Sequence, residues 1–167
     1  MRIRDVVPQD AEKLVAFRRA LFAETDFLLY GAGEYLASAE DVASQIERAL
    51  QVPTSRNLIA ENDGGFVGFL QIVGSPVPRV RHSAHLALGV LRDFWHRGVA
   101  TDLMSEALRW APTVGLSRLE LFVMTTNTRA IALYEHLGFK LEGQRQRAYI
   151  INGAAVDDHL MGYVFET

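Results

Sequence analysis

One segment of the chain has residue types that suit a phosphate-containing ligand. It spans residues 95–101, where Gly98 and Ala100 let a ligand approach the main chain at the start of a predicted helix. The free N–H groups and the positive end of a helix favour phosphate at such a place. Three nearby basic side chains add charge: Arg92, His96 and Arg97. A tight helix start packed on a sheet would explain the same residues without a ligand.

A second segment, residues 127–139, offers ligand-binding groups on a predicted helix. Asn127, Ala130 and Tyr134 follow one another at spacings of three and four, so they share one face of that helix. This face presents an amide, a small gap and a phenol. The alternative is a core helix whose tyrosine hydroxyl bonds to the main chain.

Several other chemistries are excluded or disfavoured. The chain has no cysteine, which removes disulfides, zinc–thiolate sites and a cysteine nucleophile. It has neither a G-x-x-x-x-G-K-[ST] phosphate loop nor a G-x-S-x-G serine motif. His82 and His85 lie three apart on a predicted strand, so they point to opposite faces and do not form a metal pair. We therefore predict no metal site.

Length and composition indicate one ordinary globular domain over residues 1–167. Hydrophobic residues make up 49% of the chain and charged residues 22%. The 17 basic and 20 acidic residues give a net charge of −3, which argues against a nucleic-acid partner. The sequence contains no signal-peptide core and no run of about 18 apolar residues. We expect a cytoplasmic protein with no membrane partner.

The predicted elements alternate in the second half of the chain, which favours a mixed α/β sheet. Strands are predicted at residues 2–7, 57–61, 66–73, 83–90, 118–124, 141–151 and 156–165. Helices are predicted from Pro8 to Phe22 and over residues 38–50, 98–111 and 127–137. Gly89 interrupts its strand, which suggests a bulge or the close approach of a ligand.

Taken together and in this order, the two segments resemble motifs of the GNAT superfamily, the Gcn5-related N-acetyltransferases. The family's Gln/Arg-x-x-Gly-x-Gly/Ala motif corresponds to residues 95–100, with Trp95 departing at the first position. Its Asn-x-x-Ala-x-x-Leu-Tyr-x-x-x-Gly-Phe signature is matched in full from Asn127 to Phe139. Residues 142–161 look like the branch that contains ribosomal-protein-alanine and small-amine acetyltransferases.

The resemblance implies a central, mostly antiparallel sheet with a bulged, splayed strand and helices on both faces. It also implies acetyl-CoA as acetyl donor. The pantetheine arm would pair with Leu88 to Val90, and the pyrophosphate would bind the amides of Arg97 to Thr101. The implied cofactor-binding residues are Leu88, Gly89, Val90, His96, Arg97, Gly98, Val99, Ala100, Thr101, Asn127, Ala130 and Tyr134.

The expected reaction is direct attack of an amine on the thioester. A main-chain N–H near Val90 is the candidate donor to the oxyanion. Tyr134 is placed to assist the leaving thiolate. A phenol of pKa about 10 is roughly 1.5 units weaker an acid than a thiol, so Tyr134 helps only if its pKa is lowered or it acts by hydrogen bonding. No strand carboxylate is an obvious base, which favours a weakly basic acceptor such as an α-amine.

The acceptor site is predicted around the loop at residues 25–37. Glu24 or Asp26 would hold the amine, Phe27 and Tyr30 would form an apolar wall, and Arg147, like Arg145, would bind an acceptor carboxylate. The alternatives are solvated acids, and aromatics that form the core or a homodimer contact. We expect an N-acetyltransferase for a small amine or amino acid. A protein N-terminal acetyltransferase and a non-catalytic acyl-CoA-binding sensor remain as alternatives.

Overall fold

The computed structural model of the protein describes residues 1–166, and within them seven strands form one sheet. The strands are β1 (Arg2–Asp5), β2 (Arg56–Asn62), β3 (Gly65–Val73), β4 (Ser83–Val90), β5 (Arg118–Met124), β6 (Lys140–Ile151) and β7 (Ala154–Val164). The α-helices are α1 (Ala11–Glu24), α2 (Ala39–Leu50), α3 (Val99–Trp110) and α4 (Thr128–His136). Each predicted strand and helix is confirmed, with small shifts at the ends.

The sheet has the order β1-β2-β3-β4-β5-β7-β6. In the described part of the chain, all neighbouring strands are antiparallel except β4 and β5, which run parallel. A tight turn joins β2 to β3, with both Asp63 and Gly64 at positive φ. A mostly antiparallel mixed sheet is therefore confirmed.

Strand β4 is splayed, because it pairs with its two neighbours over different lengths. It pairs with β3 from His85 to Val90. With β5 it pairs only from Ser83 to His85, so the two strands separate beyond that point. This separation leaves an opening in the sheet between β4 and β5.

The bulge predicted at Gly89 is not found. The register between β3 and β4 continues without a shift through Gly89 and Val90. The glycine is explained by packing, because a Cβ at this position would clash with Cδ2 of Leu21 in α1. The absence of a side chain at residue 89 leaves room for Leu21 of α1 to pack against β4.

Helices cover both faces of the sheet, as predicted. Neighbouring residues of β2 show this, since Leu58 belongs to the core under α3 and α4 whereas Ile59 belongs to the core under α1 and α2. Side chains of successive strand residues point to opposite faces. None of the helices in residues 1–166 is long and apolar enough to cross a membrane.

Candidate active site

A cavity of about 550 Å³ lies where β4 separates from β5. It extends from the N-terminus of α3, past α4, to the segment that follows α1. Most of the residues predicted to bind the cofactor line this cavity: Leu88, Gly89, Val90, His96, Gly98, Val99, Ala100, Thr101, Asn127, Ala130 and Tyr134. The structure therefore brings the two sequence motifs together at one opening.

One end of the cavity is formed by the first turn of α3. The residue that precedes the helix, Gly98, has φ of +80° and offers no side-chain cap. A Cβ would meet no other atom there, so the backbone conformation and not space accounts for the glycine. The first intrahelical bond joins the Asp102 N–H to the Gly98 carbonyl. The preceding N–H groups have no partner in the helix, an arrangement that fits a phosphate group.

The wall beside this end is the exposed main chain of β4. The Leu91 N–H donates to the Val67 carbonyl of β3 at 3.0 Å. Because hydrogen-bonding direction alternates along a strand, the main-chain groups of Leu88 and Val90 point away from β3, into the opening. The Val90 carbonyl accepts a bond from the indole Nε1 of Trp95 at 2.7 Å. The N–H groups of Leu88 and Val90 thus face the cavity and fit an extended ligand that carries its own amides.

Trp95, the residue that departs from the family motif, has a second contact. The guanidinium of Arg129 lies 3.3 Å from the centre of its ring, and that of Arg92 lies 5.4 Å from it. Burial, together with the neighbouring Arg92, lowers the pKa of Arg129. Arg129 lines the cavity and was missed in the sequence, whereas the predicted Arg97 does not line it and lies over Phe94 instead. Arg129 in the lining, with Arg92 on the same Trp95 ring, makes this end of the cavity attractive to an anion.

The middle of the cavity is lined by the start and the buried face of α4. The Asn127 side-chain oxygen accepts the Ala130 N–H at 3.3 Å and caps the helix, which leaves its amide N–H₂ for a ligand. Tyr134 is 7% exposed, and burial raises its pKa to about 12. Its phenol is therefore a weaker acid than an ordinary tyrosine, opposite to the shift that proton donation would need.

The far end of the cavity is mostly apolar. The segment after α1 contributes Phe27, Leu28 and Leu29, and strands β5 and β6 contribute Phe122 and Tyr149. His85 of β4 also lines the cavity, with its ring centre 5.2 Å from that of Phe122. Phe27, Leu28 and Leu29 belong to the segment that the sequence predicted for the acceptor site. His85, Phe122 and Tyr149 were not predicted, because they come from strands that meet only in the folded sheet.

Comparison with known proteins agrees with this geometry. The family model for the acetyltransferase (GNAT) family matches residues 19–139. The chain belongs to the GNAT family. It is 34% identical over 119 residues to the L-amino acid N-acetyltransferase AaaT of Escherichia coli, covering 71% of this chain and 74% of that protein. It is 33% identical over 108 residues to the N-alpha-acetyltransferase RimI of Mycobacterium tuberculosis, covering 64% and 66% of the two chains.

A solved structure of a GNAT-family protein matches this fold over 99% of the chain. The GNAT-family acetyltransferase of Streptococcus pneumoniae superposes with a TM-score of 0.94 at 31% identity and covers 99% of each chain. The protein is therefore an acetyl-CoA-dependent N-acetyltransferase, acting on amino acids, amines or peptides.

In this acetyltransferase, the two acids predicted to hold the acceptor amine do not line the cavity. The carboxylate of Glu24 accepts the main-chain N–H of Arg92 at 2.7 Å, and the Arg92 guanidinium bonds back to the Glu24 carbonyl. Glu24 thus ties the end of α1 to the segment that leads into α3. Asp26 is exposed beside it.

Two further predicted acceptor residues of the acetyltransferase also lie outside the cavity. Tyr30 packs against Phe22 and Tyr35, with ring centres 5.3 Å from each. Arg147 has φ of +53° where β6 departs from regular pairing with β7, and its N–H donates to the Asp157 carboxylate. This irregular stretch carries Arg147 away from the opening, whereas Tyr149 lines it.

Proposed function

We propose that the enzyme acetylates the α-amino group of a free amino acid with an apolar side chain. The observation that carries this proposal is the lining of the far end of the cavity. Within residues 1–166, no Asp or Glu side chain lines the cavity, and the far end presents aromatic and leucine side chains. A polyamine would place several positive charges against these surfaces without a counter-charge, which is costly.

A candidate partner for the acceptor's carboxylate lies next to this apolar end. The Arg145 guanidinium lies 3.7 Å from the centre of the Phe122 ring, which lines the cavity. Its Nε and Nη2 bond to the two oxygens of buried Asp158, so the planar group is held in place. The Arg145 side chain remains half exposed, which leaves the Nη1 edge for a carboxylate. Of the two arginines that the sequence suggested for the acceptor carboxylate, we therefore assign this role to Arg145 and not to Arg147.

For the donor, the proposal places the pyrophosphate on the free N–H groups at the start of α3, near Arg129. The pantetheine arm then follows the opening along Val90 and Leu88. Val90 lies at the phosphate end, because its carbonyl is bonded to Trp95. Leu88 lies two residues further from that end and closer to His85, so its N–H is better placed than that of Val90, the donor first predicted, to stabilise the oxyanion.

Tyr134 would act on the leaving sulfur by hydrogen bonding. With its pKa raised to about 12, full proton transfer to a thiolate of pKa about 8.5 would be uphill by roughly 5 kcal/mol. A protonated phenol can still donate a hydrogen bond to the developing thiolate. The AaaT relative, named as an L-amino acid N-acetyltransferase, supports the same acceptor class.

The test is a matched acceptor series followed by release of free thiol from acetyl-CoA. The series compares L-phenylalanine with its amide, with phenethylamine, with a dipeptide that begins with phenylalanine, and with spermidine. We expect the free amino acid to have the highest kcat/KM, by about tenfold or more over the amide. A preference for the dipeptide would favour the N-terminal acetyltransferase instead. Acetyl-CoA binding without thiol release from any acceptor would indicate a sensor.

A further inference from the structure

His85 occupies the point at which the sheet opens. It is the last residue of β4 that pairs with β5, opposite Glu120, and it is half-buried against Phe122. On β3 its opposite neighbour is the apolar Val73. His85 and Leu88, three residues apart on β4, line the same cavity, so an amine bound against Phe122 lies beside this imidazole.

The other titratable groups that line the cavity are unsuited to accept a proton from that amine. They are His96, Arg129, Tyr134 and Tyr149. Arg129 stays a cation, and burial raises the pKa of both tyrosines, which keeps their phenols protonated. His96 lies in the turn before α3, at the phosphate end. Among the lining residues of the described chain, His85 is thus the neutral base at the acceptor end.

The surroundings of His85 keep its imidazole uncharged near neutral pH. Burial lowers its pKa below the usual 6.5, and Arg145 of β6 lowers it further. Glu120 of β5 acts in the opposite direction. The Glu120 carboxylate, however, is bonded to the Arg118 guanidinium at 2.9 Å, which offsets its charge. The segment after α1 that faces this end contributes the apolar Phe27, Leu28 and Leu29.

We propose that His85 is the general base of the acetyl transfer. The amine nitrogen forms a bond to the thioester carbon, and its proton passes to the free imidazole nitrogen of His85. The carbon–sulfur bond then breaks, and the thiolate leaves with a hydrogen bond from Tyr134 and is protonated from solvent. His85 returns its proton to solvent, so the products are the N-acetyl compound and free CoA. The identity of the acceptor rests on the proposed function. The need for a base does not, because every amine must lose a proton when it is acetylated.

The experiment compares wild type with His85→Gln across pH 5–9, using the amine that wild type acetylates fastest. We expect His85→Gln to lower kcat about 100-fold while the KM for acetyl-CoA changes less than twofold. In wild type, log(kcat/KM) for the amine falls with slope one below the amine's pKa and with slope two below that of His85. In His85→Gln the slope stays at one. His82→Gln, an exposed residue outside the cavity, is the matched control and keeps wild-type kinetics.

Two further measurements separate a base from a structural residue. Added imidazole should restore part of the lost rate in His85→Gln, and His85→Glu, which supplies another base, should be faster than His85→Gln. Equal kcat in wild type and His85→Gln, or a slope of two retained in the variant, overturns the proposal. If the fastest acceptor is not an amino acid, the proposed function fails while the role of His85 is still decided.

Discussion

The indole Nε1–H of Trp95 donates a 2.7 Å hydrogen bond to the main-chain carbonyl of Val90. This bond joins the turn before α3 to the free edge of β4 and removes one of the main-chain acceptors that would otherwise face the opening. Trp95 stands where the family motif has Gln or Arg, and its indole makes this structural bond to β4. Trp95 holds the end of β4 that lines the cavity, and its ring packs against the Arg129 guanidinium.

Trp95→Phe should test this link, because it keeps an aromatic ring but removes the donor. We expect a loss of about 1 kcal/mol in unfolding free energy, the usual net value of one hydrogen bond. Acetyl-CoA should bind several-fold more weakly, because the Val90 carbonyl is released and the strand end is less fixed. Calorimetric titration and denaturant unfolding measure the two effects. Unchanged stability and affinity would show that the bond has no role.

Gly98 should control binding of the donor. Acetyl-CoA at 100 times its Kd stabilises the folded protein by about 2.7 kcal/mol. We expect Gly98→Glu to abolish this stabilisation, since a negative side chain is placed beside the phosphate-binding N–H groups. Gly98→Ala is the control: it imposes the positive φ on an L-residue and lowers basal stability, but retains the ligand-induced shift in Tm. Full stabilisation of Gly98→Glu would contradict the assignment of the pyrophosphate site.

Tyr134→Phe should lower kcat by about 10- to 100-fold and leave the KM for acetyl-CoA nearly unchanged. The ring still fills its buried position, and only the hydroxyl is lost. Because burial raises the pKa of Tyr134 to about 12, the phenol stays protonated throughout the working pH range. The rates of wild type and Tyr134→Phe should therefore depend on pH in the same way between pH 8 and 10. A fall in rate in this range that is seen in wild type and not in the variant would indicate an ionising phenol and a proton-transfer role.

Glu24→Gln should affect the donor more than the acceptor. Its carboxylate bonds to the Arg92 N–H, and Arg92 lies close to Trp95. Loss of the charge weakens this tie, so we expect a raised KM for acetyl-CoA with little change in acceptor KM. Asp26→Asn, an exposed neighbour, is the matched control and should keep wild-type values. A raised acceptor KM in either variant would instead restore the amine-binding role that the sequence suggested.

Gly89→Ala should reduce stability by about 1–3 kcal/mol, because the added methyl group meets Leu21. Combining it with Leu21→Ala should give a double variant less destabilised than the sum of the two single changes. Denaturant unfolding of the four proteins measures this coupling. Strict additivity would mean that Gly89 is required for another reason, such as the approach of the ligand.

The sequence alone determined the elements and identified most of the residues that line the proposed donor half of the cavity. Strand β4, the start of α3 and the face of α4 that carries Asn127 and Tyr134 follow from short-range rules. Helix and strand periodicity, a glycine before a helix and the N-cap of α4 act within a few residues, so they can be recognised without the fold.

Only the tertiary structure decided which side chains line the end of the cavity that we propose for the acceptor. His85, Phe122 and Tyr149 line one cavity because β4, β5 and β6 belong to one sheet, with β7 between the last two, and no local pattern specifies which side chains come together across a sheet. The Glu24 carboxylate accepts a hydrogen bond from the main chain of Arg92, 68 positions away, and local sequence patterns do not reveal such a contact. The direction of the Tyr134 pKa shift likewise depends on burial. Contacts between distant segments and loss of water are properties of the folded chain, and these determined which predicted residues line the cavity.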